Sequence, residues 1–177
     1  MSELNGGVGS QIEVTSKIRE MARRIEGEGL EYVKNASGWI QKYLEFREPN
    51  ASPEEVQLER RIRWRRTADR ILEDGYVYKG KACTDVTVGF QALCEARGYK
   101  TRFVKVKRKE GGEIHSMAEV EFGDGWYLVD VQSASRGGIR KGELKKGEEV
   151  RGWELWRKGR DAWDLGLTSF GVASLVK

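Results

Sequence analysis

The chain holds one histidine, two cysteines and two prolines among its 177 residues, and each shortage narrows what it can do. Two thiols and one imidazole make a poor ligand set for a structural metal, which ordinarily takes four such groups, so neither zinc nor any other cofactor is expected. Cys83 and Cys94 are eleven positions apart on one expected helix, about 16 Å at ~1.5 Å per residue. A disulfide needs Cα atoms within about 7 Å, so the two cannot bond each other in one folded chain. No apolar run approaches the roughly 20 residues that span a bilayer. Met1 to Ser10 is polar and glycine-bearing, which reads as a flexible leader over residues 1–10 and not as a signal peptide. These absences point to a soluble, cytoplasmic protein with no membrane contact. Asn and Gln are scarce as well, whereas charged residues make up 34% of the chain at a net +4. Dense charge of both signs with few thermolabile amides is the composition of a thermostable protein.

What is present fits a single domain over residues 11–177, long enough to bury a real core. Ile12 to Ile25 and Leu30 to Leu44 carry apolar residues at helical spacing. Ser52-Pro53-Glu54-Glu55 is a helix start, with a hydroxyl cap, proline at the first helical position and carboxylates in the first turn. That third helix is expected to run to Asp74 and stop at Gly75, completing a helical part at 11–74. A core at 75–135 follows: an extended approach from Gly75 to Ala82, then a helix from Cys83 to Arg97. Strands come next at Thr101–Arg108, Ile114–Phe122 and Trp126–Val131, joined by glycine-rich turns. Residues 136–177 form an extension in which Arg136–Gly152 reads as an exposed excursion and Asp161–Phe170 as a short helix. Helices followed by consecutive antiparallel strands argue an α+β fold with the N-terminal helices packed on the sheet.

The chemistry gathers on three residues. Cys83 opens a helix, where unpaired N–H groups and the helix dipole favour a thiolate, and Lys79 and Lys81 lie just upstream. Cys94 falls on the apolar stripe of the same helix and reads as core. His115 and Asp130 are linked by strand parity. A two-residue turn at Gly123-Asp124 would pair Met117 with Asp130 and set His115 diagonally beside it, within reach of a His–Asp hydrogen bond. Glu119 is a competing carboxylate on the histidine's own strand. A thiol nucleophile needs a base to take its proton, and the base needs a third group to orient it.

Residues Gly80 to Asp130 resemble the transglutaminase-like superfamily. The matching motifs are Cys83 with Asp85 at a helix start, Gly98-Tyr99-Lys100-Thr101-Arg102 at a strand entry, then His115, then Trp126-Tyr127-Leu128-Val129-Asp130. Ala36 to Tyr43, with Trp39, is similar to the family's preceding helix. The resemblance implies a papain-like arrangement with Cys83 as nucleophile, His115 as base and then acid, and Asp130 as orienter. Three departures mark a divergent branch, on the archaeal side of the superfamily: the glycine before the cysteine is Gly80, with Lys81 in its usual place; Met117 replaces a common aromatic; and Gly89 replaces a bulky apolar residue. The second oxyanion donor, beside the Cys83 N–H, is open among Trp64, Tyr76 and Tyr78.

The function so implied is cysteine-dependent acyl transfer or amide hydrolysis through a thioester, acting on a protein or peptide amide. Water as acceptor gives a peptidase or amidase, and a lysine side chain gives a transglutaminase. Two other readings compete. Arg60, Arg61, Arg63, Arg65, Arg66 and Arg70 on the third helix could meet nucleic-acid phosphates. Glu59 and Asp69, at i,i+4 spacing to some of them, would neutralise much of that patch. A non-catalytic binding module on the same fold would ordinarily have lost a triad member.

Overall fold

The computed structural model of the chain describes residues 9–168. Thr15 caps α1 (Ser16–Arg23) through the Ile18 amide, and α2 (Gly29–Tyr43) follows. A short strand β1 (Glu45–Arg47), unforeseen in the sequence, leads to α3 (Pro53–Ile62), whose Ser52 side chain accepts from the Glu55 amide as the cap signature requires.

The single helix expected over 52–74 is in fact two. It breaks after Ile62 and restarts as α4 (Ala68–Asp74), capped by Thr67 and ended by Gly75 in the left-handed conformation. The physical reason is that the intervening backbone is claimed by distant groups. The Trp64 amide donates to Asp85 Oδ1 at 3.2 Å. Its carbonyl accepts from Trp163 Nε1 at 2.8 Å and from Gln11 Nε2, which also reaches the Arg66 carbonyl. Trp64 itself adopts φ +63°, a conformation non-glycine residues seldom hold without tertiary support.

Strand β2 (Tyr76–Tyr78) pairs in parallel with β1 and delivers the chain to α5 (Cys83–Ala96). Every α5 residue from Thr84 to Cys94 is buried, because helices lie on one side and the sheet on the other. The four buried polar side chains of α5, Thr84, Asp85, Thr87 and Gln91, all have hydrogen-bond partners. Gly89 has a reason here: a Cβ at that position would come within 2.8 Å of Ile40 Cδ1 from α2. The space beside Gly89 is filled from α2.

Strands β3 (Lys100–Arg108), β4 (Ile114–Phe122) and β5 (Gly125–Val129) form the expected meander. Phe122 pairs with Gly125 across the two-residue turn and Ala118 with Val129, so the anticipated register is present. The extension departs from expectation. A 3-10 turn (Val131–Arg136) leads to β6 (Ile139–Lys141), then β7 (Glu149–Val150) and β8 (Trp153–Gly159). The sheet order is β6-β5-β4-β3-β8-β7, so the last strand inserts beside β3. Within the expected excursion at 136–152 only 139–141 and 149–150 are strand and Leu144 is the one buried residue, while 153–159 add a full strand to the sheet. The part of the expected 161–170 helix that is described forms turns closed on Ala162 and Trp163; residues 169 and 170 lie outside the described residues. Of the expected leader only Gly9 and Ser10 are described, and Gly9 accepts from Arg160.

One apolar core joins Ile12 of the N-terminal segment, the helices, the inner face of the sheet and Leu167. A smaller cluster of Val104, Val106, Met117, Leu128 and Leu144 covers the sheet's other face. The architecture is α+β, with helices packed on one antiparallel sheet.

Candidate active site

Cys83 is the first residue of α5 and is partly exposed; Cys94, on the same helix, is buried, and both are free thiols. Burial works against ionising Cys83. A hydrogen bond from His115, the charges of Lys105 and His115, and a hydrogen bond from Ser116 outweigh it and bring the thiol down to about 6. Cys94 moves the opposite way, pushed well above the ordinary thiol value by burial and then by the Glu95 charge. Two cysteines of one helix are thereby set apart in reactivity.

His115 is the second residue of β4, and its Nε2 lies 2.9 Å from Asp130 Oδ1. Asp130 follows β5 and begins the 3-10 turn. Its second oxygen accepts from Ser133 Oγ at 2.7 Å, and its own amide donates to the Gly138 carbonyl at 2.7 Å. Gly138 is required there: a Cβ would sit 2.7 Å from the Ser133 carbonyl carbon and oxygen. Burial lowers the affinity of the His115 ring for a proton, but hydrogen bonds to Asp130 and Cys83 reverse this and lift it to about 9. Burial alone would raise the Asp130 carboxyl; the His115 and Ser133 bonds hold it below the usual carboxylate value. With Nε2 committed to Asp130, Nδ1 is the ring nitrogen left for the sulfur. Trp153 of β8 packs against the imidazole with ring centroids 5.3 Å apart.

The structure joins His115 to Asp130 by a hydrogen bond, and the His115 ring is among the groups that act on the Cys83 thiol. Glu119, the competing carboxylate, is engaged elsewhere: Lys158 Nζ lies 2.6 Å from its Oε1, and the Leu144 amide donates to the same oxygen at 2.7 Å. A cation that the sequence did not single out also acts on the thiol. Lys79 pairs with Glu48, and the cation that lowers Cys83 is Lys105. Lys105 lies on β3 with 0% exposure and donates to Thr84 Oγ1 at 3.2 Å and Ser116 Oγ at 2.9 Å. Sequence reasoning missed it because one lysine in Phe103-Val104-Lys105-Val106 reads as an outward residue of an alternating strand. The signal was parity: Phe103 and Lys105 point the same way, and Phe103 is core.

Of the candidate oxyanion donors, Tyr78 has its hydroxyl bonded to Glu55. The Tyr76 ring lies between the guanidinium groups of Arg47 and Arg66, at 3.7 and 5.0 Å. The Trp64 ring faces Lys105 Nζ at 5.1 Å. Asp85, two residues after Cys83, fastens the start of α5 to the helix break: it accepts from the Trp64 amide and pairs with Arg66 at 3.3 Å. Burial raises its carboxyl above the ordinary value, with Arg66 and Arg63 acting against that rise.

The arginine-rich segment is partly an internal device. Arg66 is buried between Asp74, at 3.0 Å, and Asp85, and Arg63 is buried against Glu59. Arg60, Arg61 and Arg70 are exposed, and Arg70 pairs with Glu73 and Asp74.

Comparison with known proteins places the fold. A solved structure described as a "Putative Cysteine Protease", from Cytophaga hutchinsonii, superposes with a TM-score of 0.59 at 17% identity. The match covers 92% of this chain and 48% of that one, so this chain spans about half the length of that protein. A search of curated proteins finds no match. Among the described residues no helix is long and apolar enough to cross a membrane. The sequence profile of the transglutaminase-like superfamily matches residues 19–131, well over half of the chain and all three residues of the site. The chain belongs to the transglutaminase-like superfamily, on a papain-like α+β fold.

Proposed function

We propose that the chain is a cysteine-dependent amide hydrolase acting on peptide or protein amides through a thioester. The observation that carries this reading is a partly exposed thiol at a helix N-terminus, with its pKa lowered by an imidazole whose Nε2 lies 2.9 Å from a buried carboxylate. Between the two pKa values the pair rests as thiolate and imidazolium, so the nucleophile is already ionised before substrate arrives. The sulfur attacks the amide carbon and forms a C–S bond, and the carbonyl oxygen becomes an oxyanion facing the free N–H groups of the first turn of α5. The imidazolium of His115 then gives its proton to the nitrogen, the C–N bond breaks and an amine leaves. Water attacks the thioester as His115 takes its proton; the C–S bond breaks, releasing a carboxylic acid and restoring the thiolate. Asp130 keeps the ring in the orientation both transfers need. A lysine side chain in place of that water would give transamidation.

The test is selective alkylation. Iodoacetamide at neutral pH should modify Cys83 at least about tenfold faster than Cys94, read by peptide mass spectrometry. Cys83→Ala should abolish turnover of amide substrates. Equal, slow labelling of both thiols would refute the reading. Product analysis with and without an added primary amine separates hydrolysis from transfer.

A further inference from the structure

Lys105 is a fully buried cation at the back of the site, and its hydrogen bonds fall in a telling place. Thr84 is the residue after Cys83, and Ser116 is the residue after His115. One ammonium therefore holds both the helix that carries the thiol and the strand that carries the ring. The two hydroxyls are also 2.9 Å from each other. Among the described residues no carboxylate forms an ion pair with Lys105; burial lowers its pKa below the ordinary lysine value, with the Cys83 charge acting against that fall and Lys81 adding to it. Asp85, the nearest carboxylate along α5, is taken by Arg66, and Asp130 faces the ring of His115. The remaining neighbour of the ammonium is the face of Trp64, whose backbone is held at φ +63°.

An ammonium can only donate, so Thr84 Oγ1 and Ser116 Oγ both accept from Lys105. Either hydroxyl can donate to the other. With Thr84 as that donor, both lone pairs of the Ser116 oxygen are filled and its own O–H is left for the Cys83 sulfur. A hydrogen bond from Ser116 is among the causes that lower the Cys83 thiol, and in this arrangement the chain of donors ends on the atom that must carry negative charge.

We propose that Lys105 is a positioning residue for the nucleophile: through Thr84 and Ser116 it clamps α5 to β4, and it aims a polarised Ser116 hydroxyl and its own positive charge at the Cys83 thiolate. The thiolate then lies among three stabilising groups, the imidazolium, the ammonium and the serine O–H. This inference rests on the reading of Cys83 as an activated nucleophile and goes beyond it by assigning two residues outside the triad.

The experiment is the pH dependence of iodoacetamide labelling of Cys83 in the full chain, compared with Lys105→Met and Ser116→Ala. In the wild type the rate should rise with a midpoint near 6. In Lys105→Met the midpoint should move up by about one pH unit, with labelling about tenfold slower on the acid side. Ser116→Ala should move it the same way by a smaller amount. A residue of merely structural importance would lower the melting temperature without moving that midpoint. Wild-type and both variant midpoints coinciding near 6 would overturn this inference alone. A wild-type midpoint at an ordinary thiol's value, about 8.5, would overturn the proposed function and this inference with it. If Lys105→Met fails to fold, Ser116→Ala decides, since it deletes one oxygen and leaves the backbone pairing of Lys105 with Ser116 intact.

Discussion

At the scale of single residues, the site is an exercise in shifting two groups past each other. An isolated thiol and an isolated imidazole would both be neutral at pH 7.5. Here Cys83 ionises near 6 and His115 keeps its proton to about 9. The signs predict different profiles for different measurements. Labelling by an alkylator needs only the thiolate, so it should rise through about 6 and then stay level. Amide turnover also needs an acid for the leaving amine, so it should rise near 6 and fall near 9. A labelling rate that fell with turnover above 9 would contradict the assignment of His115 as the proton donor. Cys83 and His115 stood out in the sequence because cysteine and histidine are scarce, and Asp130, one of seven aspartates, because strand parity sets it beside His115. Lys105, Ser116 and Thr84 did not, since only the packed sheet brings them under the thiol.

At the scale of elements, the site depends on two joints. The first is the break between α3 and α4. Asp85 there satisfies the Trp64 amide and one side of the buried Arg66. Asp85→Ala would leave the buried Arg66 with Asp74 as its one carboxylate partner and the Trp64 amide without its acceptor. The expected cost is about 1–3 kcal/mol, read as a fall in the denaturant midpoint. The second joint is the turn after β5, where Asp130 is held by Ser133 and Gly138. Gly138→Ala puts a methyl against the Ser133 carbonyl, which is backbone and cannot swing aside. It should destabilise by about 1–3 kcal/mol. It should also lower the alkaline limb of turnover as Asp130 loses its hold on the ring. The hairpin β4–β5 was readable because parity and a two-residue turn leave one register that buries the right face. The helix break was not, because its cause is Asp85, Gln11 and Trp163, all far away in the chain. Thr67 before Ala68 and Asp69 was the local hint, a hydroxyl cap inside an otherwise helical run. Strand β8 was hidden differently: all its residues but one are half-buried, and Trp153-Glu154-Leu155-Trp156 alternates poorly.

At the scale of the whole molecule, the charge that dominates the composition is built into networks. Arg66 joins Asp74 and Asp85, and Arg70 extends the set through Asp74 and Glu73. A second set links Glu119, Lys158, Glu143 and Arg102 across the outer face of the sheet. Networks of this kind gain weight as temperature rises, because the penalty for dehydrating ions falls. The melting temperature should exceed the roughly 45–65 °C usual for mesophilic domains, a point one calorimetric scan decides. The same inward pairing leaves the third-helix arginines a reduced surface for phosphates, with Arg63 and Arg66 withdrawn from solvent. A docking face for nucleic acid is the weaker reading for that reason.

The order of the sheet leaves one edge of the site to a strand far along the chain. Cys83, His115 and Asp130 all precede β8, which lies along β3 and brings the indole of Trp153 onto the His115 ring. Any substitution that loosens β8 should therefore loosen the packing of the ring while leaving in place the hairpin that joins His115 to Asp130.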